Sequence, residues 1–215
     1  MRQPTCYIIG ASVMSETFSP EPDDLVIAAD GGLLHLQNLH ITPDIIIGDF
    51  DSLGRVPQQP EAIRYPVEKD DTDMMLAIKS GLEAGFSQFI LYGGLGGRFD
   101  HSLANIQCLA YLANRNARGF LAGDGTVLTV IRDGALHFNA GMSGTISVIS
   151  FGSTAEGVTL QGLKYPLKDA VLKNDSTLGI SNEFTRSAAS VSVRKGSLIV
   201  IWFAETFEIG SVQSR

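Results

Sequence analysis

Ile45-Ile46-Ile47-Gly48 and Phe89-Ile90-Leu91-Tyr92 are apolar runs with no polar residue at alternate positions. A strand with one face in water alternates apolar and polar side chains. A strand covered on both faces does not, and that is the habit of parallel sheets with helices on either side. Short runs of this kind recur at Cys6 to Ile9, Leu25 to Ala29, Asp44 to Ile47, Ile63 to Val67, Gln88 to Tyr92 and Gly119 to Ala122. Helical patterns fill most of the gaps. Leu33, Leu34, Leu36 and Leu39 make one apolar face, Met74, Met75, Ile78 and Leu82 a second, and Leu103, Ile106, Leu109, Ala110 and Leu112 a third. Thr72 or Asp71 is available to cap the second helix. Strands alternating with helices predict an α/β fold with a Rossmann-like, mostly parallel sheet.

The pattern changes near Gly123-Asp124-Gly125. Beyond it no amphipathic stretch reaches helical length. Short alternating runs with turn signals take over: Val127 to Ile131, Asp133-Gly134, Gly144 to Ile149, Gly152-Ser153, Val191 to Val193, Lys195-Gly196 and Leu198 to Phe203. Regular short strands with glycine-containing turns predict an antiparallel sandwich or barrel. Two domains are expected, residues 1–125 and 126–215.

Composition narrows the partners. The chain is 44% hydrophobic and 18% charged, as a soluble globular protein is, and its net charge is -7 with no Lys/Arg run. Duplex nucleic acid is an unfavourable partner for such a surface. The longest late apolar run, Leu198 to Ala204, is far short of the about 20 residues that cross a membrane. MRQPTCYIIGAS enters strand-like sequence at once, without a signal-peptide profile. A cytoplasmic protein with neither nucleic acid nor membrane as partner is expected. Cys6 and Cys108 form no CxxC pair and read as buried thiols.

The chemistry lies where acids follow strands. Leu25 to Ala29 runs into Asp30-Gly31-Gly32, Asp44 to Gly48 into Asp49-Phe50-Asp51-Ser52, Ile63 to Val67 into Glu68-Lys69-Asp70-Asp71-Thr72-Asp73, and Gln88 to Tyr92 into a glycine-rich stretch ending in Asp100-His101. In an open α/β sheet the strand ends share one edge, so these acids converge. Converging carboxylates repel unless a cation sits among them, and Mg²⁺ holding phosphates is the commonest solution. In an extended segment Asp49 and Asp51 point the same way and can face one cation while Phe50 turns inward. Asp73 is the candidate for a further ligand. Asp70 reads as a helix-end or solvated residue, since acids in a first helical turn favour the dipole. Lys69 could meet a phosphate, although a solvated lysine is the default.

Gly93-Gly94-Leu95-Gly96-Gly97-Arg98 lies between a strand and a helix. Glycines at Gly93, Gly94, Gly96 and Gly97 let backbone N–H groups approach phosphates closely. The stretch is neither a Walker A loop nor GxGxxG. Arg98 adds a forked donor suited to phosphate. Asp100 and His101 then open the helix, as caps or as groups that handle a proton.

Together, AADGG (Ala28 to Gly32), PDIIIGDFDSL (Pro43 to Leu53), KDDTDMMLAI (Lys69 to Ile78) and GGLGGRFDHSLANI (Gly93 to Ile106) resemble the thiamine pyrophosphokinase family. GLKYPL (Gly162 to Leu167) and GISNEF (Gly179 to Phe184) are similar to its thiamine-side motif. The resemblance implies an α/β catalytic domain followed by a β-sandwich, and a homodimer with thiamine held between subunits. The reaction it implies is transfer of the pyrophosphoryl group of ATP to the thiamine hydroxyl, with release of AMP. Asp49, Asp51 and Asp73 would hold Mg²⁺. Asp30, Lys69, Thr72, Gly93, Gly94, Gly97 and Arg98 would line the nucleotide and phosphate side. Asp71, Arg98 and Asp100 would serve catalysis. Ser181 and Asn182 would contact the aminopyrimidine, and Tyr165 stands where family members often have Trp, keeping an aromatic face for stacking.

Two other readings share part of this logic. A nucleotide-sugar transferase would use the same DxD acids, but not KDDTD, GGRFDH and GISN together. A nucleotide- or thiamine-binding regulator without turnover would not need so complete a set of acids.

Overall fold

The computed structural model describes residues 2–48, 61–64, 70–204, 207 and 209–214, with 61–64 and 214 described by their backbone alone. The chain divides into two compact units, Met1–Asp124 and Gly125–Arg215. Asp49, Asp51 and Lys69, and the last residues of the strand expected over Ile63 to Val67, lie outside the described residues.

The first unit runs β1 (Cys6–Ile9), β2 (Leu25–Ala29), α1 (Gly32–Asn38), β3 (Ile45–Gly48), β4 (Glu61–Arg64), α2 (Asp73–Glu83), β5 (Gln88–Tyr92), α3 (Phe99–Ala113) and β6 (Arg118–Gly123). Every residue of β1 and β5 is buried, as runs without polar alternation require. The strands pair in the order β6-β5-β1-β2-β3-β4, each ladder parallel. The chain thus builds outward from β1 to β4, then returns to the other side of β1 with β5 and β6. The strand order reverses at β1, and a doubly wound sheet opens its ligand crevice outside the carboxyl ends at that point.

Helix α2 starts where its cap dictates. Thr72 is extended (φ -71°, ψ 158°), and its hydroxyl accepts a hydrogen bond from the Met75 N–H. Met74, Ala77, Ile78 and Gly81 face inward. In α1, Leu33 and Leu36 are buried, but Leu34, expected on the same apolar face, is exposed. Leu103 of α3 is likewise exposed, while Asn105, Cys108, Leu109 and Leu112 are buried.

The amino ends of the strands are closed by polar side chains. The Asp24 side chain, fully covered, accepts from the Thr5 N–H (2.8 Å), the Glu21 N–H (2.9 Å) and the Arg2 guanidinium (2.6 Å). Asp44 accepts from the Val26 N–H at 2.8 Å. Gln88, buried, donates to the Thr5 hydroxyl at 2.7 Å and accepts from Arg118 at 2.7 Å.

The second unit comprises β7 (Thr126–Arg132), β8 (Ala135–Phe138), β9 (Thr145–Gln161), β10 (Leu167–Leu172), β11 (Asn182–Glu183), β12 (Ala189–Ser192), β13 (Lys195–Phe203) and β14 (Val212–Ser214). Among the described residues, all its ladders are antiparallel. The pairing of the chain is therefore mixed rather than mostly parallel: parallel within the first unit, antiparallel within the second. Strand β9 is the spine. Its first half pairs with β13, while its second half pairs with β12 and β10. Gly152-Ser153, read from sequence as a turn, lies inside this strand. Gly152 (φ 74°) and Gly157 (φ 70°) take left-handed geometry, which bends a strand without ending it. Trp202, Phe138 and Phe184 form an edge-on aromatic cluster in the core, with Phe138 5.3 Å from Trp202 and 5.0 Å from Phe184.

Candidate functional site

A cavity of about 330 Å³ opens at the carboxyl ends of β1, β2 and β5. It gathers residues far apart in sequence: Gly10, Ala11 and Ser12 after β1, Asp30 after β2, Thr72, Asp73 and Met74 at the start of α2, Gly93 after β5, and Arg98, His101 and Asn105 at or within α3. Of the residues singled out from sequence, Asp30, Thr72, Asp73, Gly93, Arg98 and His101 are thus brought together.

Backbone geometry sets the floor. The β1 and β5 chains continue side by side past their strands, with the Gly10 N–H donating to the Tyr92 carbonyl and the Ser12 N–H to the Gly93 carbonyl, each at 2.8 Å. A side chain is excluded here. A Cβ on Gly10 would sit 2.5 Å from the Gly93 oxygen, and one on Gly93 would sit 2.3 Å from the Gly10 oxygen. Asp30 holds a left-handed φ of 50° where the chain turns off β2, a conformation that costs energy for a residue with a side chain and that concentrates at ligand sites.

Arg98 and Asp100 form a forked pair, Nη2 to Oδ2 at 2.6 Å and Nε to Oδ1 at 3.2 Å. The Arg98 guanidinium holds the Asp100 carboxyl below the usual carboxylate range. Both side chains are mostly exposed, so the pair is well screened by solvent. Arg98 lines the cavity and Asp100 does not. Asp71 is not among the lining residues either. The Lys79 ammonium, eight residues along α2, donates to its carboxylate at 2.5 Å. Gly94 and Gly97 adjoin the cavity. The Gly94 carbonyl accepts from the buried Asn105 amide at 2.8 Å, and a Cβ on Gly97 would stand 3.5 Å from the Ser12 hydroxyl.

Ser12 and Asn105 were not singled out from sequence. The signal for Ser12 was present, since Gly10-Ala11-Ser12 occupies the same strand-end position as the acids, but it carries no charge. Asn105 gives no local signal, because its work is a tertiary hydrogen bond. Asp49, Asp51 and Lys69 lie outside the described residues. Among the described residues, no three His, Cys, Asp or Glu side chains cluster as a metal site. The cavity does offer hard oxygen donors from Asp30 and Asp73, a donor set suited to Mg²⁺.

A second cavity, of about 320 Å³, lies within the second unit, lined by Leu160, Tyr165, Leu167 and residues 177–182. Tyr165, Ser181 and Asn182 meet here. Tyr165 is mostly exposed, with the Lys164 ammonium 5.4 Å from its ring centroid. Lys164 is itself held by Glu183 at 2.8 Å. Asn182 is buried and largely consumed by backbone. Its Oδ1 accepts from the N–H groups of Tyr165 and Glu183, both at 2.9 Å, and its Nδ2 donates to the Tyr165 carbonyl at 2.7 Å. One amide hydrogen is left for any other partner. Ser181 is in left-handed geometry (φ 56°), with its N–H on the Ser147 hydroxyl at 3.1 Å.

A cavity at the reversal of a parallel sheet makes the first unit a doubly wound α/β module of the ligand-binding kind. Comparison with known proteins then narrows the class to a family. Residues 20–121 match the family description "Thiamin pyrophosphokinase, catalytic domain", and residues 135–198 match "Thiamin pyrophosphokinase, vitamin B1 binding domain". The thiamine pyrophosphokinase of Bacillus subtilis is 34% identical over 184 residues, which is 82% of this chain and 86% of that protein. The crystal structure of thiamine pyrophosphokinase from Bacillus subtilis superposes with a TM-score of 0.82 at 29% identity, covering 94% of this chain and 99% of that one. That of Geobacillus thermodenitrificans gives 0.81 at 28% identity, covering 94% and 98%. The chain belongs to the thiamine pyrophosphokinase family, a family of transferases.

Proposed function

We propose that this chain transfers the pyrophosphoryl group of ATP to the hydroxyl of thiamine in a Mg²⁺-dependent reaction that yields thiamine diphosphate and AMP. The observation that carries the reading is the gathering of Asp30, Thr72, Asp73, Gly93 and Arg98, from three separate segments, around one cavity at the sheet reversal. Phosphoryl-type transfer requires in-line positioning and neutralised charge more than covalent help. The glycine-rich stretch and Arg98 would hold the phosphates and take developing charge, with Asp30, Lys69 and Thr72 on the nucleotide side. Release of AMP places attack at the β-phosphorus. Asp71 or Asp100 would orient or deprotonate the thiamine hydroxyl. Asp73, with Asp49 and Asp51, would hold Mg²⁺, which when bound neutralises phosphate charge. Tyr165, Ser181 and Asn182 would receive thiamine in the second unit, read as a β-sandwich domain over residues 126–215. Residues 1–125 would form the catalytic domain. The family resemblance further supports a cytoplasmic homodimer with thiamine between subunits.

Incubation with Mg-ATP and thiamine tests the reading, with AMP and thiamine diphosphate as the expected products. Neither product forming alongside an active control would sink it. Nucleotide-sugar cleavage instead would favour the transferase alternative, and tight binding of ATP or thiamine without product would favour a regulator.

A further inference from the structure

Three carbonyls of the glycine-rich stretch are held by donors from outside it. The Gly93 carbonyl takes the Ser12 N–H at 2.8 Å, the Gly94 carbonyl takes the Asn105 amide at 2.8 Å, and the Gly96 carbonyl takes the Ser12 hydroxyl at 3.1 Å. Ser12 thus touches the stretch twice, through backbone and side chain. It is in turn fixed from behind, because His35 Nε2 lies 2.8 Å from the Ser12 carbonyl oxygen. A carbonyl only accepts, so Nε2 carries the proton. His35 sits on α1, directly after the Asp30 turn, so one chain of contacts joins that turn's helix to the loop beyond β5.

We propose that Ser12 is a positioning residue that, backed by His35, clamps residues 93–97 in the geometry that receives the phosphates of the nucleotide. The physical reason is conformational freedom. Gly93, Gly96 and Gly97 all have positive φ, and a run of such residues has many alternatives to the bound shape. Fixing its carbonyls before the ligand arrives removes an ordering cost from binding. The nucleotide part of this proposal rests on the function proposed above.

The test is amide hydrogen exchange across residues 93–98 without ligand, together with separate KM values for Mg-ATP and thiamine. Ser12→Ala is expected to speed exchange in that segment about fivefold, the size of one ordinary hydrogen bond. It should raise the Mg-ATP KM by a similar factor and leave the thiamine KM in place. His35→Leu should act in the same direction. His35→Gln, whose amide can donate to the same carbonyl, should restore both readouts. Unchanged loop exchange in Ser12→Ala would overturn the clamp, as would faster exchange spread evenly over the first unit or equal rises in both KM values. The exchange measurement needs no turnover. Slow loop exchange that Ser12→Ala releases, in a chain that binds no Mg-ATP, would therefore remove the nucleotide reading and keep the clamp.

Discussion

At the amino ends of the parallel strands, Asp24 and Asp44 are taken up by backbone N–H groups of neighbouring segments. At the carboxyl ends of the same sheet, Asp30 and Asp73 line a cavity. One residue type does two kinds of work, and the strand end decides which. The amino edge is closed by a polar network that includes buried Thr5 and Gln88, so its acids stabilise the fold. The carboxyl edge is where chain reversal leaves a crevice, so the two acids that line it, Asp30 and Asp73, face whatever binds there. An acid near a buried strand therefore carries functional meaning only once its end of the strand is known.

Asp73→Asn should break this contrast most visibly. If the carboxyl-edge acids serve turnover, the substitution lowers kcat by roughly a hundredfold, on the scale of losing one transition-state contact. Unfolding should be unaffected, as followed by circular dichroism. Full activity, or loss of the folded signal, would move Asp73 into the same structural role as Asp24.

The converse change comes next. Asp24→Asn should cost about 1–3 kcal/mol of stability, because three donors lose a charged acceptor beneath a covered side chain. Turnover by the folded fraction should stay at the wild-type value. A fall in kcat without a fall in urea midpoint would show that the amino edge communicates with the cavity, contrary to the division drawn above.

The same residue sets an expected pH dependence of smaller size. Burial alone would raise the Asp24 pKa, but the bonds from Arg2 and from the Thr5 and Glu21 N–H groups outweigh it and hold the carboxyl below its usual range. A folded pKa below the unfolded one means the unfolded chain takes up the proton more readily. The stabilisation is therefore present above the unfolded value of about 3.9 and fades as pH falls through the folded value. Urea midpoints of wild type and Asp24→Asn should differ by a constant amount from about pH 5 upward and converge below about pH 4. A difference that widens on acidification would have the wrong sign for this account.

Much of the fold was legible because burial writes itself into local pattern. Runs such as Gln88 to Tyr92, without polar alternation, suggested strands covered on both faces, and Thr72 or Asp71 before an apolar period offered a helix cap. The gathering of Asp30, Thr72, Asp73, Gly93 and Arg98 was legible for the same reason, since strand ends can be read from strands. What escaped depends on contacts made across the chain. Strand β9 runs through Gly152-Ser153 because its partners change there, and partners are not written in a local window. Ser12, His35 and Asn105 earn their places through bonds to residues between 11 and 84 positions away. Asp71 sits inside a motif, yet Lys79 engages its carboxylate outside the cavity lining. Asn182 reads as a ligand contact, but three of its four hydrogen-bonding positions hold the backbone of Tyr165 and Glu183.

The smallest expected effect sharpens the comparison from within the carboxyl edge. Arg98 and Asp100 make a forked pair as short as the Arg2–Asp24 contact, 2.6 Å in each case. Their surroundings differ: the Asp24 side chain is 0% exposed and the Asp100 side chain 65%. Distance alone would assign the two pairs equal worth, whereas solvent screening assigns the exposed one almost none. Asp100→Asn should therefore leave the urea midpoint where it is, at low salt and at high salt alike, even if it alters turnover by releasing Arg98. A midpoint drop matching that of Asp24→Asn would mean that the carboxyl edge is braced by its charged residues too, and that the two ends of the sheet differ in what they face rather than in what holds them.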